Sequence, residues 1–323
     1  MKLPIISVIV CAFNRKDYVN NAINSILNQT LDQSLYELIV VSNFEIQLKI
    51  DRNYNYINIV KTTSNKRLNL MVYGIKEAKG EILCFLDDDD LFSKDKLEEV
   101  LEMFANNDKL GYLHNSFSLI DKNGNNVTDN QLIKLWKLPR KDYYIPHAKL
   151  KRYLRKITNY SGLVNASSMS IRSSIIDKNT LDYFENLPGN MDEFIFYELL
   201  RSNYDLLLSK NILSFYRLHN QNNSKPKDPV EMIEYVCRLH KSLEMINKLL
   251  EKTDFKQYGQ MKLKYWSYKI QLLDENSSVS FKFLLIIFAD VIKYRTDYYL
   301  SLALFSLYKF LFKKSPINLM RQY

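Results

Sequence analysis

Glycine and proline are scarce, at seven residues each in a chain of 323. That excludes collagen-like repeats and long low-complexity linkers, whose composition leans on those two residues. The three cysteines, Cys11, Cys84 and Cys237, lie far apart and form neither a disulfide framework nor a zinc-ligand spacing. They fit a reducing, cytoplasmic setting, with Cys11 and Cys84 as small buried hydrophobes. No segment reaches the ~20 uninterrupted apolar residues that a bilayer-spanning helix needs. The opening Met1-Lys2-Leu3-Pro4 is expected to run into a strand rather than a secretory leader. No basic–aromatic motif points to nucleic acid beyond the bulk charge of +9.

What is present is apolar and patterned. Hydrophobic residues make up 46% of the chain and aromatics 13%, ample for a packed core. β-Branched runs at Ile5 to Ala12, Leu38 to Val41 and Tyr56 to Val60 read as strands. Helical spacing lies between them, over Tyr18 to Leu27 and Asn69 to Lys79, the second helix ending toward Gly80 as a C-cap. Further strands are expected over Leu110 to Ile120, Val164 to Ile171 and Ile212 to Arg217, with helices over Lys94 to Ala105 and Asp192 to Leu200. Residues 125 to 160, with Trp136 and Tyr143, show no clear period. The strand–helix alternation predicts an α/β fold around a mostly parallel sheet flanked by helices.

From Pro229 strand signals stop. Four long helices follow, over about Pro229 to Glu251, Phe255 to Asp274, Val279 to Arg295 and Tyr298 to Lys313. The polar stretch Asn220 to Asp228 marks the boundary, dividing the chain into residues 1–225 and a C-terminal helical region, 226–323. From Asn276 to Tyr323 seven cations face two anions, so more than half of the net charge sits there.

One segment concentrates chemistry. Ile82-Leu83-Cys84-Phe85-Leu86 runs straight into Asp87-Asp88-Asp89-Asp90. The apolar run reads as a buried parallel strand, and open α/β sheets bind ligands at the carboxyl ends of such strands. Four adjacent anions repel one another, and a hard divalent cation, Mg²⁺ or Mn²⁺, would hold them together. A helix cap at Asp90 would account for one acid and leave three.

Four segments together resemble the family 2 glycosyltransferases, whose fold is the Rossmann-like nucleotide-diphospho-sugar-binding GT-A. They are Ser7-Val8-Ile9-Val10-Cys11-Ala12-Phe13-Asn14-Arg15, Ala22 to Thr30, Gly74 to Asp90, and Phe215-Tyr216-Arg217-Leu218-His219-Asn220, in the family's order over about residues 5 to 225. The resemblance implies a metal-dependent, inverting transfer of a sugar from a nucleoside-diphosphate sugar to the hydroxyl of a saccharide or lipid-linked glycan. It maps the family's Asp-x-Asp motif onto Asp87 and Asp89, with His219 as a further metal ligand or a hydrogen-bond partner of a phosphate oxygen. It puts the nucleotide near Ala12, Phe13, Asn14, Arg15 and Asn43, and the ribose, sugar or phosphates near Asp87, Asp88 and Arg217. It names Asp192, or its neighbour Glu193, as the general base at the start of a helix; capping that helix is a compatible role.

The chain also departs from the family's pattern. Ser42-Asn43 stands where many relatives carry an acid, and Met71-Val72-Tyr73 precedes Gly74 in place of Arg-Asn, with Arg67 as a substitute. These departures keep open a catalytically silent sugar-nucleotide-binding subunit at a membrane. A sugar-nucleotide nucleotidyltransferase would carry a glycine-rich basic loop after the first strand, where this chain has Cys11-Ala12-Phe13-Asn14-Arg15. The C-terminal helices, rich in large apolar residues and bounded by basic ones, suit a peripheral contact with the inner face of the cell membrane, a bundle packed on the catalytic domain, or a homodimer interface.

Overall fold

The computed structural model describes residues 3–47, 57–64, 66–128, 138–159, 165–177, 179–181, 185, 187–189, 191–220, 228–274, 277–295 and 297–316. Trp136, Val164 and most of the 220–228 stretch singled out above lie outside them. The chain divides into two compact units. Met1–Leu150, Ser161–Leu187 and Met191–His219 form the first; Lys151–Tyr160, Pro188–Asn190 and Asn220–Tyr323 form the second.

In the first unit the expected alternation is present. Strand β1 (Ile6–Ala12) leads to α1 (Val19–Leu27), β2 (Tyr36–Ser42), β3 (Ile57–Lys61), α2 (Arg67–Glu77) and β4 (Ile82–Asp87). The short β5 (Leu91–Phe92), α3 (Lys96–Ala105) and β6 (Leu110–Ile120) follow. Then come β7 (Tyr143–Ile145), α4 (His147–Asn159), which belongs to the second unit from Lys151 onward, β8 (Met169–Arg172), α5 (Met191–Arg201) and β9 (Asp205–Arg217).

Among the described residues nine strands form one sheet in the order β3-β2-β1-β4-β8-β6-β9-β5, with β7 on β9. The pairings make β1, β2, β3, β4, β6 and β9 point one way and β5, β7 and β8 the other, so the sheet is mostly parallel. Both faces of β1 are covered, which is why its seven residues are all buried. Val8, Val10 and Ala12 share a core with Ile23 and Ile26 of α1 and Leu97 and Val100 of α3. Ile9, on the opposite face, meets Gly74 of α2. The chain runs outward from β1 through β2 to β3 and then returns to β4 on the other side of β1. That reversal puts a crevice at the carboxyl ends of β1 and β4.

Several expectations need adjustment. Gly80 is not the cap of α2: the helix ends at Glu77 and the C-cap is Ala78, in extended conformation. Gly80 lacks a side chain for a packing reason, because a Cβ there would stand 2.5 Å from the backbone nitrogen of Ser7. Its N–H donates to Ser7 Oγ (2.8 Å), which donates to Glu37 Oε1 (2.6 Å), fastening β4 to β1 and β2. Residues 166–168 form a single 3-10 turn before β8 starts at Met169. β9 begins at Asp205, seven residues before the expected Ile212, and pairs with β6, β5 and β7.

Besides Lys151–Asn159 of α4, the described residues of the second unit form four long helices: α6 (Pro229–Ile246), α7 (Lys256–Leu273), α8 (Phe281–Tyr294) and α9 (Asp297–Phe312). Asp228 caps α6 by accepting from Glu231 N, ahead of a proline at the first helical position. Ser280 caps α8 in the same way, accepting from Phe283 N. The last carbonyls of α7 are met from a distance by Lys309, a buried residue of α9. Its ammonium donates to Gln271 O (3.2 Å), Leu272 O (3.1 Å) and Asp274 O.

Gly80→Ala is expected to cost about 1–3 kcal/mol through the clash with the Ser7 backbone. A denaturant titration showing an unchanged midpoint would contradict that packing.

Candidate active site

The acidic cluster occupies the predicted place, the carboxyl end of β4, and it is not solvated. Asp88, Asp89 and Asp90 are buried, and only Asp87 is partly open. Each carboxylate is met by a donor from a different part of the first unit. Arg67, at the start of α2, lies 2.5 Å from Asp87 Oδ1. Arg15, in the loop after β1, pairs with Asp88 and lies 2.7 Å from Asp89 Oδ2. His219, two residues beyond β9, puts Nε2 at 2.9 Å from the same Asp89 oxygen.

Asp90 faces inward. It accepts from Ser167 Oγ (2.6 Å) and from the backbone N–H of Arg217 (2.9 Å). It caps no helix; Asp95 holds the N-cap position of α3.

These environments separate the four acids. Burial raises Asp89, but the hydrogen bond from His219 and the charges of Arg15 and Arg67 outweigh it and hold Asp89 below the ordinary carboxylate range. Burial pushes Asp88 up to about 6 despite Arg15. Asp90 stands well above the ordinary value, through burial and then the charges of Asp89 and Asp87.

Asp87, Asp89 and Asp90 each offer an oxygen, and these oxygens lie within 4.8 Å of one another. Hard carboxylate oxygens in that spacing fit a divalent cation. Asp90 is the weakest of the three as a ligand, since both its oxygens already accept hydrogen bonds. Asp88 Oδ2 is buried with no partner among the described residues.

Asp192 opens α5 and is tied to the same place by one short turn. The backbone N–H of Asn165 donates to Asp192 Oδ2 (3.1 Å). Two residues on, Ser167 Oγ donates to Asp90 and accepts from the backbone N–H of Asp87 (3.1 Å). Asn165 has φ +71°, a conformation that asparagine tolerates better than most residues, and its side chain accepts from Ser167 N. Burial, and next the charge of Asp87, push Asp192 up to about 7. Glu193 is buried beside it; burial raises the phenols of Tyr112 and Tyr197 well above their ordinary value, with the charges of Asp192 and Glu193 adding at Tyr112 and that of Glu193 at Tyr197.

Other expected residues are distributed as follows. Ala12 is buried at the end of β1, Phe13 is partly exposed, and Asn14 is exposed at φ +57°. Asn43 accepts from Asn14 N (3.0 Å) and donates to Asn14 Oδ1 (2.7 Å), joining the loops after β1 and β2. Arg217 is fully buried, and two of its guanidinium nitrogens meet backbone: Nε donates to Asp89 O (2.7 Å) and Nη1 to Asp121 O (3.1 Å) and Lys122 O (3.3 Å). It braces the acidic loop against the turn after β6.

Three contributors escaped the sequence reading. Ser167 joins the acids to the Asp192 turn. Tyr18 packs its ring at a tilt against His219 (5.1 Å between rings) and lies under the Arg217 guanidinium (4.7 Å). Lys96 is fully buried beneath the cluster, donating to Ser167 O (2.6 Å) and Asn115 Oδ1 (3.1 Å). Burial pulls Lys96 down to about 7. The Asn165-Ala166-Ser167 pattern, which favours a local turn, was the only available signal.

Comparison with known proteins agrees with this geometry. A family model described as "Glycosyl transferase family 2" matches residues 7–177. An uncharacterized glycosyltransferase of Rickettsia felis is 25% identical over 69% of this chain, and one of Haemophilus influenzae is 24% identical over 68%. The match spans 35% of the Rickettsia felis protein and 68% of the Haemophilus influenzae protein. Among solved structures, S. aureus TarS in complex with UDP superposes over 97% of this chain and 89% of its own (TM-score 0.55, 15% identity). The Pyrobaculum calidifontis mannosyltransferase PcManGT, in complex with GDP-Man and Mn²⁺, does so over 97% and 88% (TM-score 0.54, 12% identity). At such identities the likeness speaks to the fold, which is GT-A-like.

Asp192 has a consequence for stability. Its folded value of about 7 lies above the ~3.9 of an unfolded aspartate. The folded state therefore keeps a proton that the unfolded state releases, and stability falls as pH rises from about 4 to about 7. Asp192→Asn keeps the acceptor for Asn165 N and removes the buried charge. It should raise stability by on the order of 2 kcal/mol above pH ~7, discounted for partial exposure, with the gain fading toward pH ~4. Thermal melts at several pH values read this, and a pH-independent difference would contradict it.

Proposed function

We propose that this chain, which belongs to glycosyl transferase family 2, is a transferase that moves a sugar from a nucleoside-diphosphate sugar to an acceptor hydroxyl with inversion at the anomeric carbon. The observation that carries the reading is the turn over residues 165–168, which touches Asp192 with one group and Asp87 and Asp90 with another. A proton acceptor and the acidic cluster thus share one end of the sheet.

In this reading Asp192 takes the proton of the acceptor hydroxyl. The acceptor oxygen forms a bond to the anomeric carbon as the carbon–oxygen bond to the diphosphate breaks, and that electron pair leaves with the diphosphate. An elevated Asp192 pKa supports a base poised near neutrality. Asp87, Asp89 and His219 would hold a divalent cation, Mg²⁺ or Mn²⁺, which would supply positive charge to the departing diphosphate. Arg15 and Arg67 add positive charge on the same side. Arg217 and Asp90 act as supports, since both Asp90 oxygens and the Arg217 Nε and Nη1 groups are engaged by the protein itself. The Asn14–Asn43 pair lines the expected nucleotide position and offers amide groups to a base edge.

The neighbours' ligands favour a nucleotide-sugar donor: TarS is bound to UDP or UDP-GlcNAc and PcManGT to GDP-Man. The acceptor in this reading is a saccharide or lipid-linked glycan. The division into a catalytic domain, 1–225, and a helical region, 226–323, belongs to the same proposal, as does work in the cytoplasm at a membrane face.

The test is a transfer assay with UDP- and GDP-sugars, with and without Mn²⁺, read by release of the nucleoside diphosphate. Asp89→Ala should lower kcat by about 100-fold or more. Asp192→Asn should lower it by roughly 100- to 10,000-fold while leaving donor affinity within a few-fold. Chelation should abolish turnover, and Mn²⁺ should restore it. Donor-dependent thermal stabilisation without turnover on any acceptor would favour the silent binding subunit. Full activity in Asp192→Asn would remove Asp192 as the base.

A further inference from the structure

The last two helices of the second unit bury charged groups among their inward apolar residues and expose a second apolar stripe. The buried side of α8 carries Asp290, paired with Lys264 Nζ (2.7 Å) and Tyr268 OH (2.9 Å). The buried side of α9 carries Lys309 and Ser306. Beside the inward-facing Leu284, Ile287, Tyr299, Leu302 and Phe305, further large apolar side chains face solvent. On α8, Phe281, Leu285, Phe288 and Ile292 are 64%, 55%, 44% and 70% exposed. On α9, Leu300, Leu304, Leu307 and Leu311 are 52%, 61%, 37% and 60% exposed. Both sets follow the spacing i, i+4, i+7, i+11, which lines up one stripe along a helix. A water-facing helix normally carries polar residues there, and two packed helices with such stripes exceed scattered surface hydrophobes.

The charges around the stripes name the occupant. Lys282, Lys293, Arg295, Lys313 and Lys314 are exposed at or near the helix ends. Among the described side chains from 277 to 316 no carboxylate is exposed, Asp290 being buried. A second copy of this chain would bring like charges together, whereas an anionic lipid leaflet would meet them with opposite ones. The helices have 14 and 16 residues, about 21–24 Å at 1.5 Å per residue. That is short of the ~30 Å hydrocarbon core and suits helices lying in the interface plane.

We propose that α8 and α9 form a membrane-surface element that beds Phe281, Leu285, Phe288, Ile292, Leu300, Leu304, Leu307 and Leu311 into a leaflet of anionic phospholipid. The element goes beyond the catalytic reading and stands independently of it, because binding to lipid requires neither Asp89 nor Asp192.

The experiment is co-sedimentation of the full chain with vesicles of phosphatidylcholine alone and of phosphatidylcholine mixed with phosphatidylglycerol. The wild type should pellet with the anionic vesicles and be released by added salt. It should remain largely in solution with phosphatidylcholine alone. Lys282→Glu/Lys293→Glu should weaken anionic binding by about tenfold or more. Leu285→Ser/Leu304→Ser should weaken it comparably, and these exposed positions should leave the melting temperature nearly unchanged. Two results overturn the proposal: wild-type protein that stays in solution with anionic vesicles at low salt, or equal binding to both vesicle types. A third is a wild-type dimer that Leu285→Ser/Leu304→Ser dissociates while vesicle binding stays the same, which assigns the stripes to a second copy. The wild-type arms decide the matter even if a variant misfolds, and Asp192→Asn should bind vesicles like the wild type.

Discussion

Four carboxylates crowded at the end of one strand are the constraint around which the first unit is arranged. Left alone they would repel one another and stay in water. Here three of the four are buried, and each is met by a group from a separate part of the chain. The loop after β1 sends Arg15, the start of α2 sends Arg67, the segment after β9 sends His219, and the turn before β8 sends Ser167. The acidic cluster therefore ties together segments from across the first unit. Charges that remain after this pairing are shared unequally, with Asp89 kept ionised and Asp90 pushed toward its neutral form.

Beneath the acids lies a second layer that carries no direct chemistry. Lys96 is fully buried, yet its ammonium reaches Ser167 O and Asn115 Oδ1 and sits over the Phe92 ring (3.9 Å). Asn115 in turn donates to Ser214 Oγ on β9 (2.8 Å). The turn that joins Asp192 to the acidic loop is thus held from below by a polar network crossing α3, β6 and β9. Buried polar groups of this kind are costly unless satisfied, and once satisfied they permit few alternative arrangements. Site positioning and burial of charge oppose one another in the free-energy balance, as is common where a fold carries chemistry.

Much of this was legible in the residues. The run from Ile82 to Asp90 announced both a buried strand and an anionic end, since hydrophobic continuity and charge adjacency are local properties. Asp192 was readable as an acid opening a helix. Arg67 and Arg15 were readable as cations near the right strands, though their particular partners were not. Ser167, Lys96 and Tyr18 were silent, because a serine in a turn, a lysine at a helix start and a tyrosine before a helix are ordinary in isolation. Gly80 looked like a helix stop by its position in the chain. Its actual reason, contact with Ser7, joins residues 73 positions apart. The short strands β5 and β7 had no readable period, since they exist by pairing with β9.

By itself the amino-acid order determined what is local: the alternation of strands and helices, the acidic end of β4, the helical character after Pro229, and the excess of cations near the end of the chain. Tertiary structure decided everything that depends on distant neighbours. It chose which oxygens accept from which donors, turned Arg217 toward backbone carbonyls, and drew Asp192 and Asp87 onto one turn. It also decided that Asp290 and Lys309 face inward while Leu285, Leu300, Leu304, Leu307 and Leu311 face outward on the last two helices. The physical reason is the same throughout. Periodicity and propensity act over a few residues, whereas burial, pairing and charge compensation are set by groups the fold brings together from across the chain.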